Sequence, residues 1–311
     1  MKQFFALSLV FCLSVATAQT PMRKSYMFSY FTGNGEDGLH LAWSKDGYHW
    51  EAVNKGRSLL TPKAGKDKLM RDPCIVQGPD GTFHMVWTVS WGERGIGYAN
   101  SKDLIDWSEQ QYIPVMEHEP DARNCWAPEL FYDDEKEVFM IYWATTIPGR
   151  FNAGDDQKYN HRIYYTTTKD FRAFTPTLPL YDHGFSVIDA TIIPSGARYI
   201  MILKDETDEP AFPEKNLRLA SAEHPEGPYT GPGAPITGDY WAEGPTAIKI
   251  RNKWFVYFDK YRDHKYGLLT STDLVTWTDE SDKLVVPQGI RHGTVFEVSG
   301  EVAKAVLGVK R

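Results

Sequence analysis

Five copies of one short segment recur along the chain, and they limit what it can fold into more than any other feature. Ser44-Lys45-Asp46 is followed by Trp50, Ser101-Lys102-Asp103 by Trp107, Thr168-Lys169-Asp170 by Phe174, and Ser271-Thr272-Asp273 by Trp277; a weaker copy is Ser221-Ala222-Glu223 with Tyr229. The acidic positions 46, 103, 170, 223 and 273 lie 57, 67, 53 and 50 residues apart. A period of that size marks one small sheet per copy, repeated radially so that neighbouring sheets bury each other's faces. The segment reads as structural: a Ser/Thr-Lys-Asp turn after a strand such as residues 39–43 closes a hairpin, and the aromatic packs between sheets.

Upstream of four copies lies a strand pair. Cys74-Ile75-Val76, the turn Gly78-Pro79-Asp80-Gly81 and residues 82–87 form one; residues 129–131 with 138–143, 191–193 with 199–203, and 246–250 with 253–258 form the others. Short apolar runs bounded by Gly, Pro, Asn and Asp are hairpins, and amphipathic helical windows are nearly absent. The first repeat has no such upstream strand, because residues 26–30 are already of the second-strand type. Residues 291–298 supply a strand with no repeat after it. The two ends therefore complete one blade, which removes an open sheet edge. The expected fold is an all-β five-bladed propeller of four-stranded sheets. It forms one domain over residues 19–311, with the N- and C-terminal strands sharing a blade.

Composition agrees. Among 311 residues there are 25 Gly and 19 Pro, enough for many turns, and 14% of the chain is aromatic, which suits strands and stacking surfaces for flat ligands. The net charge of −7 argues against nucleic acid or anionic lipid as partners. Residues 1–18 read as a secretory signal: Lys2, an apolar run over 4–15, and Ala16-Thr17-Ala18 as the cleavage site. The mature chain is expected to begin at Gln19 and to be exported to the periplasm or beyond, as a monomer without membrane insertion. Cys74 and Cys125 then remain, read as buried thiols rather than a disulfide framework.

The chemistry-bearing residues fall at the starts of the inner strands, which line the channel of a propeller. Arg71-Asp72-Pro73, Trp126-Ala127-Pro128-Glu129, Ile188-Asp189-Ala190 and Glu243-Gly244-Pro245 place an acid at four of these starts, and Arg291-His292-Gly293 places a histidine at the fifth. In that order, these motifs resemble glycoside hydrolase family 43, over essentially the whole mature chain. The resemblance implies a five-bladed propeller, an inverting mechanism and three acids in a funnel. It makes Asp72 the general base, Glu243 the general acid and Asp189 the residue that tunes and orients that acid. It also places His292 beside the channel, near a bound calcium or sodium ion; no cofactor is required. Two departures stand out: Asp189 is followed by Ala190 rather than Pro, and the base motif sits in the second repeat. Asp37, in Gly35-Glu36-Asp37-Gly38, is therefore an alternative base, although its glycine-rich setting reads more simply as a rim loop.

Glycosidic cleavage needs a protonated acid at the leaving oxygen and a carboxylate that activates water or attacks the sugar. With inversion the two carboxyls stand about 6.5–9.5 Å apart. Glu243 is expected to have a raised pKa, through Asp189 and desolvation beneath Trp241, and Asp72 to stay ionised with help from Arg71. Trp126, Trp241, Trp91, Arg71, Glu129 and His292 are candidate substrate contacts, with residues 147–159 a further loop at the funnel. The acidic run from Lys204 to Glu209 reads as a solvated rim. No serine-hydrolase elbow, phosphate loop or zinc-protease motif occurs. The favoured activity is an exported glycosidase acting on plant-type polysaccharide side chains, with arabinofuranose first and xylose or galactose next. Its rivals are a non-catalytic carbohydrate-binding propeller and a retaining fructan-processing enzyme. Against the last, Glu243 is followed by Gly244, where those enzymes carry Cys.

Overall fold

The computed structural model describes residues 24–151, 159–208 and 214–308. The expected signal peptide at 1–18 and the start at Gln19 lie outside the described residues, as do Glu209 and residues 152–158 of the funnel loop. Five antiparallel sheets form the ring. From the channel outward, the first blade holds Val295–Val298, Ser25–Tyr30, His40–Ser44 and Glu51–Ala52. The second holds Arg71–Gln77, Phe83–Thr88, Ile96–Ser101 and Gln111–Ile113. The third holds Trp126–Asp133, Val138–Thr146, His161–Thr168 and Leu178–Tyr181. The fourth holds Val187–Ser195, Arg198–Asp205 and Asn216–Ala222, and the fifth Glu243–Ile250, Lys253–Lys260, Lys265–Ser271 and Thr278–Asp279. The expected strand pairs are all present. Closure is as predicted too: Ser25 pairs with Val298 and Phe28 with Val295.

The repeated segment ends the third strand of a blade and turns the chain toward the fourth. In each strong copy the Ser/Thr hydroxyl accepts an N–H three residues on: Gly47 N to Ser44 Oγ (2.9 Å), Leu104 N to Ser101 Oγ (2.8 Å), Phe171 N to Thr168 Oγ1 (2.9 Å) and Leu274 N to Ser271 Oγ (2.8 Å). The Asp carboxylate accepts the next N–H groups, as Asp46 Oδ1 does from Tyr48 and His49. Such side-chain turns let a polar tripeptide replace ladder hydrogen bonds. The aromatic closes the unit from inside. Trp50 packs edge-on against Phe28 and Tyr257, tying the first blade to the fifth, and both Trp50 Nε1 and Tyr257 Oη donate to Gly47 O.

Two features differ from the sequence expectation. Among the described residues the fourth blade has three strands, not four. Its outer edge is met by an irregular segment through Thr230 N, Gly233 N and Ile236 N, which donate to Ser221, Leu219 and Leu217 carbonyls. That segment carries Pro225, Pro228, Pro232 and Pro235, and proline supplies no N–H to a ladder. A helix, Gly300–Leu307, follows the closing strand. Ser299 caps it by accepting from Val302 N (3.2 Å), and Ala303 and Val306 pack into the core cluster of Met27, Leu41 and Val53. Cys74 and Cys125 are free and buried.

Because the first blade takes its inner strand from the far end of the chain, deleting residues 291–311 should leave the protein unfolded or aggregated. Thermal denaturation checks this. A truncated chain that melts at the full-length temperature would contradict closure by both ends.

Candidate active site

Four inner strands start with the same irregularity. Pairing with the second strand slips between Arg71 and Cys74, Trp126 and Glu129, Ile188 and Thr191, and Glu243 and Thr246. Inside each slip one residue has a left-handed backbone: Asp72 (φ 51°), Ala127 (45°), Asp189 (52°) and Gly244 (58°). Pro73, Pro128 and Pro245 follow three of them. Proline cannot complete the ladder, so the extra residue is extruded as a bulge. A non-glycine residue in this conformation costs about 1–2 kcal/mol, a strain that recurs at functional sites. Gly244 has a steric reason as well, since a Cβ there would lie 2.4 Å from the His292 ring.

These slips set the acids at three depths, which corrects the reading of four equivalent positions. Asp72 and Asp189 occupy the bulge itself, Glu243 stands one residue before it, and Glu129 lies two residues beyond. Glu129 is accordingly deeper in the channel. Its carboxylate accepts from Thr191 Oγ1 (3.1 Å), Thr294 Oγ1 (3.4 Å) and Tyr142 Oη (3.4 Å). Burial pushes its pKa up to about 7, against the lowering charge of His292.

Asp72, Asp189 and Glu243 gather around His292. Asp72 Oδ1 is 3.3 Å from His292 Nδ1, and Asp72 Oδ2 accepts from Thr88 Oγ1 (2.9 Å), whose oxygen in turn accepts from Ala127 N (2.8 Å). Burial acts to raise the Asp72 pKa, but His292, Arg71 and Thr88 outweigh it and hold the carboxyl below its ordinary value. For His292 the balance is reversed: burial lowers its pKa, while Asp72, Asp189 and Glu129 push it up to about 9. Among the described residues no cluster of three or more His, Cys, Asp or Glu side chains is arranged to hold a metal.

Glu243 lies between two cations, at 3.1 Å from Lys204 Nζ and 3.0 Å from Arg291 Nη2. Lys204 also meets Glu206 (2.6 Å), and Arg291 also pairs with Asp259. The expected raised pKa of Glu243 is therefore corrected. Burial does act upward, but Lys204, Arg291 and His292 bring it below the ordinary value. The raised carboxyl is Asp189, pushed up to about 6 by burial and by the Glu243 and Asp72 charges. Asp189 Oδ2 accepts from Gly244 N (2.9 Å), which ties the fourth blade to the fifth.

The rim is aromatic and cationic. Arg71 is sandwiched between Phe31 (4.7 Å) and Trp91 (4.3 Å), and Asn34 Oδ1 accepts from both Arg71 and the Trp91 indole. Trp91 is 48% exposed. Trp126 meets Trp91 edge-on and also packs on Tyr159 and His161, so it belongs to the rim rather than the core. One face of Trp241 carries the Arg262 guanidinium at 3.6 Å, so that face is not an open platform. Asp37 is bound to His40 (2.8 Å) and Thr32 on the rim turn. Lys204 is not part of a solvated rim: its side chain is 2% exposed. The sequence reading missed Lys204 and gave Arg291 and Asp259 no role. The available signal was a lysine ending the apolar run Ile200-Met201-Ile202-Leu203, where a strand enters the site.

Residues 22–303 match a family model related to glycoside hydrolase family 43 and described as a probable glycosyl hydrolase domain. A curated alpha-L-arabinofuranosidase from Bifidobacterium longum subsp. longum is 24% identical over 199 residues, or 55% of this chain; the match spans 18% of that protein's length. Similar solved folds include an alpha-L-arabinofuranosidase from Lactobacillus brevis (TM-score 0.54, 19% identity, 68% of this chain and 72% of that one). An exo-beta-1,3-galactanase from Clostridium thermocellum (0.52, 14%, 70% and 50%) and a Bacillus subtilis arabinanase (0.52, 16%, 70% and 78%) are similar as well.

Removing one clamp should release Glu243. In Lys204→Met its carboxyl should titrate at higher pH than in the wild type, followed by carbon NMR of labelled glutamate. An unmoved titration would show that Lys204 does not set its charge.

Proposed function

The chain belongs to the glycosyl hydrolase domains related to glycoside hydrolase family 43, and from that premise we propose that it hydrolyses glycosidic bonds with inversion, using Asp72 as base and the Asp189–Glu243 pair as acid. The observation that carries this reading is the electrostatic asymmetry of the three acids around His292. Asp72 is held ionised, as a base that activates water must be. The Glu243 charge helps to drive Asp189 up, so the two titrate as a pair, and the pair holds its proton mainly on Asp189 until pH about 6. Glu243 is the member that meets the leaving oxygen, because its side chain is 20% exposed whereas Asp189 is buried against Gly244. Asp72, at 12%, is also reached by solvent. Lys204 and Arg291 keep the Glu243 carboxylate in place and stabilise its charge once the proton has left.

Arabinofuranose is the favoured sugar, with xylose or galactose next. The resemblance in sequence and the name of the curated relative support arabinofuranose, and the galactanase-like neighbour keeps galactose in view. The exposed Trp91 and the Trp126–Tyr159 cluster supply apolar faces suited to sugar rings. Export, with residues 1–18 as the signal, remains part of the proposal. A purely sugar-binding role is less well supported, since the charge-separated acids serve turnover and are not needed for affinity.

Three outcomes test the assignment. Glu243→Gln should lower kcat/KM on natural glycosides by about 10²-fold or more and spare aryl glycosides with good leaving groups, which need little protonation. Asp72→Asn should lose about as much on both kinds, because water goes unactivated either way. The pH dependence follows from the same charges. Activity needs a proton on the acid pair, so kcat/KM should fall as pH rises through about 6, and Lys204→Met should move that alkaline limb upward. Full activity in Asp72→Asn with loss in Asp37→Asn would transfer the base role to Asp37.

A further inference from the structure

A cleft of about 500 Å³ opens beside the Arg291–Asp259 ion pair, lined by Tyr261, His264, Lys265 and residues 284–290. It lies between the fifth blade and the connection that returns to the first, on the face where the inner strands start. Its inner end is formed by Asp259 and Arg291, and Arg291 bonds Glu243 directly at 3.0 Å. One side chain, Arg291, thus stands between the cleft and Glu243. The volume is that of a small-ligand site.

The lining has a definite chemistry. Leu284, Val286 and Pro287 give an apolar floor, Tyr261 an aromatic wall and Gln288 an amide. Among the described lining residues the one acid is Asp259, which is paired with Arg291, the same guanidinium that holds Glu243. Lys265 and His264 are exposed, and among the described residues neither side chain has a hydrogen-bond or ion-pair partner. An uncommitted ammonium on an apolar, hydroxyl-compatible cleft favours a sugar that carries negative charge.

We propose that this cleft is a subsite for a uronic acid residue of the glycan whose branch is cleaved at Asp72 and Glu243, with Lys265 facing the carboxylate. The proposal rests on the glycosidase reading for its biological sense, but binding tests it independently of turnover. Calorimetric titration of the wild-type protein with tri-galacturonate and with the neutral galactotriose should show preferential binding of the acid form, weakening as salt is raised. Lys265→Glu should reduce tri-galacturonate affinity about tenfold or more and leave galactotriose unchanged. Gln288→Trp, which adds bulk on an exposed lining residue without altering charge, should weaken tri-galacturonate too. Hydrolysis of aryl glycosides, which are too short to fill the cleft, should be unaffected in both variants. Equal affinity for the two trisaccharides, absence of tri-galacturonate binding, or an unchanged affinity in Lys265→Glu would overturn the proposal. A wild-type protein that cleaves no aryl glycoside would instead count against the glycosidase reading, and the titration would still decide the cleft.

Discussion

The backbone bulge at the start of four inner strands is the constraint on which the rest of the site depends. A regular strand alternates its side chains between the two faces of the sheet, and would not set Asp72 and Asp189 at one depth beside His292. The slip inserts one left-handed residue, and the acids stand where that residue or its neighbour projects. The cost is carried by the ladders on either side, since each bulged strand resumes regular pairing within three residues. Contacts between blades lock the arrangement. Thr88 bridges Asp72 to Ala127 N, and Asp189 receives Gly244 N, so each acid is oriented by the next sheet in the ring. The geometry of the site is thus a property of the closed ring rather than of any single blade.

Charge is distributed on that frame in alternation. Glu206, Lys204, Glu243, Arg291 and Asp259 form one chain of opposite neighbours, and His292 with Asp72 forms a second. Buried charges persist only when paired in this way. The consequence is that three carboxyls of similar intrinsic acidity take different protonation states. Asp72 is held down by an imidazolium, Glu243 by an ammonium and a guanidinium, while Asp189, with one backbone N–H as its close partner, is driven up. Two acids whose environments pull them apart are what acid–base chemistry at a single pH requires.

Much of this was legible in the sequence because it is written locally. The Ser/Thr-x-Asp turns repeat at blade spacing, the hairpins announce themselves by turn residues and alternation, and the lone strand at 295–298 demands a partner at the other end. Asp72, Glu243 and His292 were legible because each stands beside Pro or Gly at a strand start, and Asp189 because Ile188-Asp189 opens the remaining inner strand at the same blade spacing. What was not legible depends on contacts between distant segments. Lys204 looked like part of an acidic surface run, yet it lies 39 residues from Glu243 in sequence and 3.1 Å away in space. Its presence reverses the direction in which burial alone would move Glu243. The depth of Glu129 depends on where Pro128 makes the ladder slip, a two-residue difference that motif spacing does not resolve. The missing fourth strand of the fourth blade could have been read from its four prolines. The helix at Gly300–Leu307 is too short for periodicity to reveal.

The central claim is that Asp72 acts on water rather than on the sugar. The most direct test is the configuration of the sugar first released, followed by proton NMR from the earliest seconds of hydrolysis, before mutarotation mixes the anomers. The account predicts that the anomer opposite to that of the substrate appears first. First release of the substrate's own anomer would mean a covalent intermediate, and would contradict the role given to Asp72.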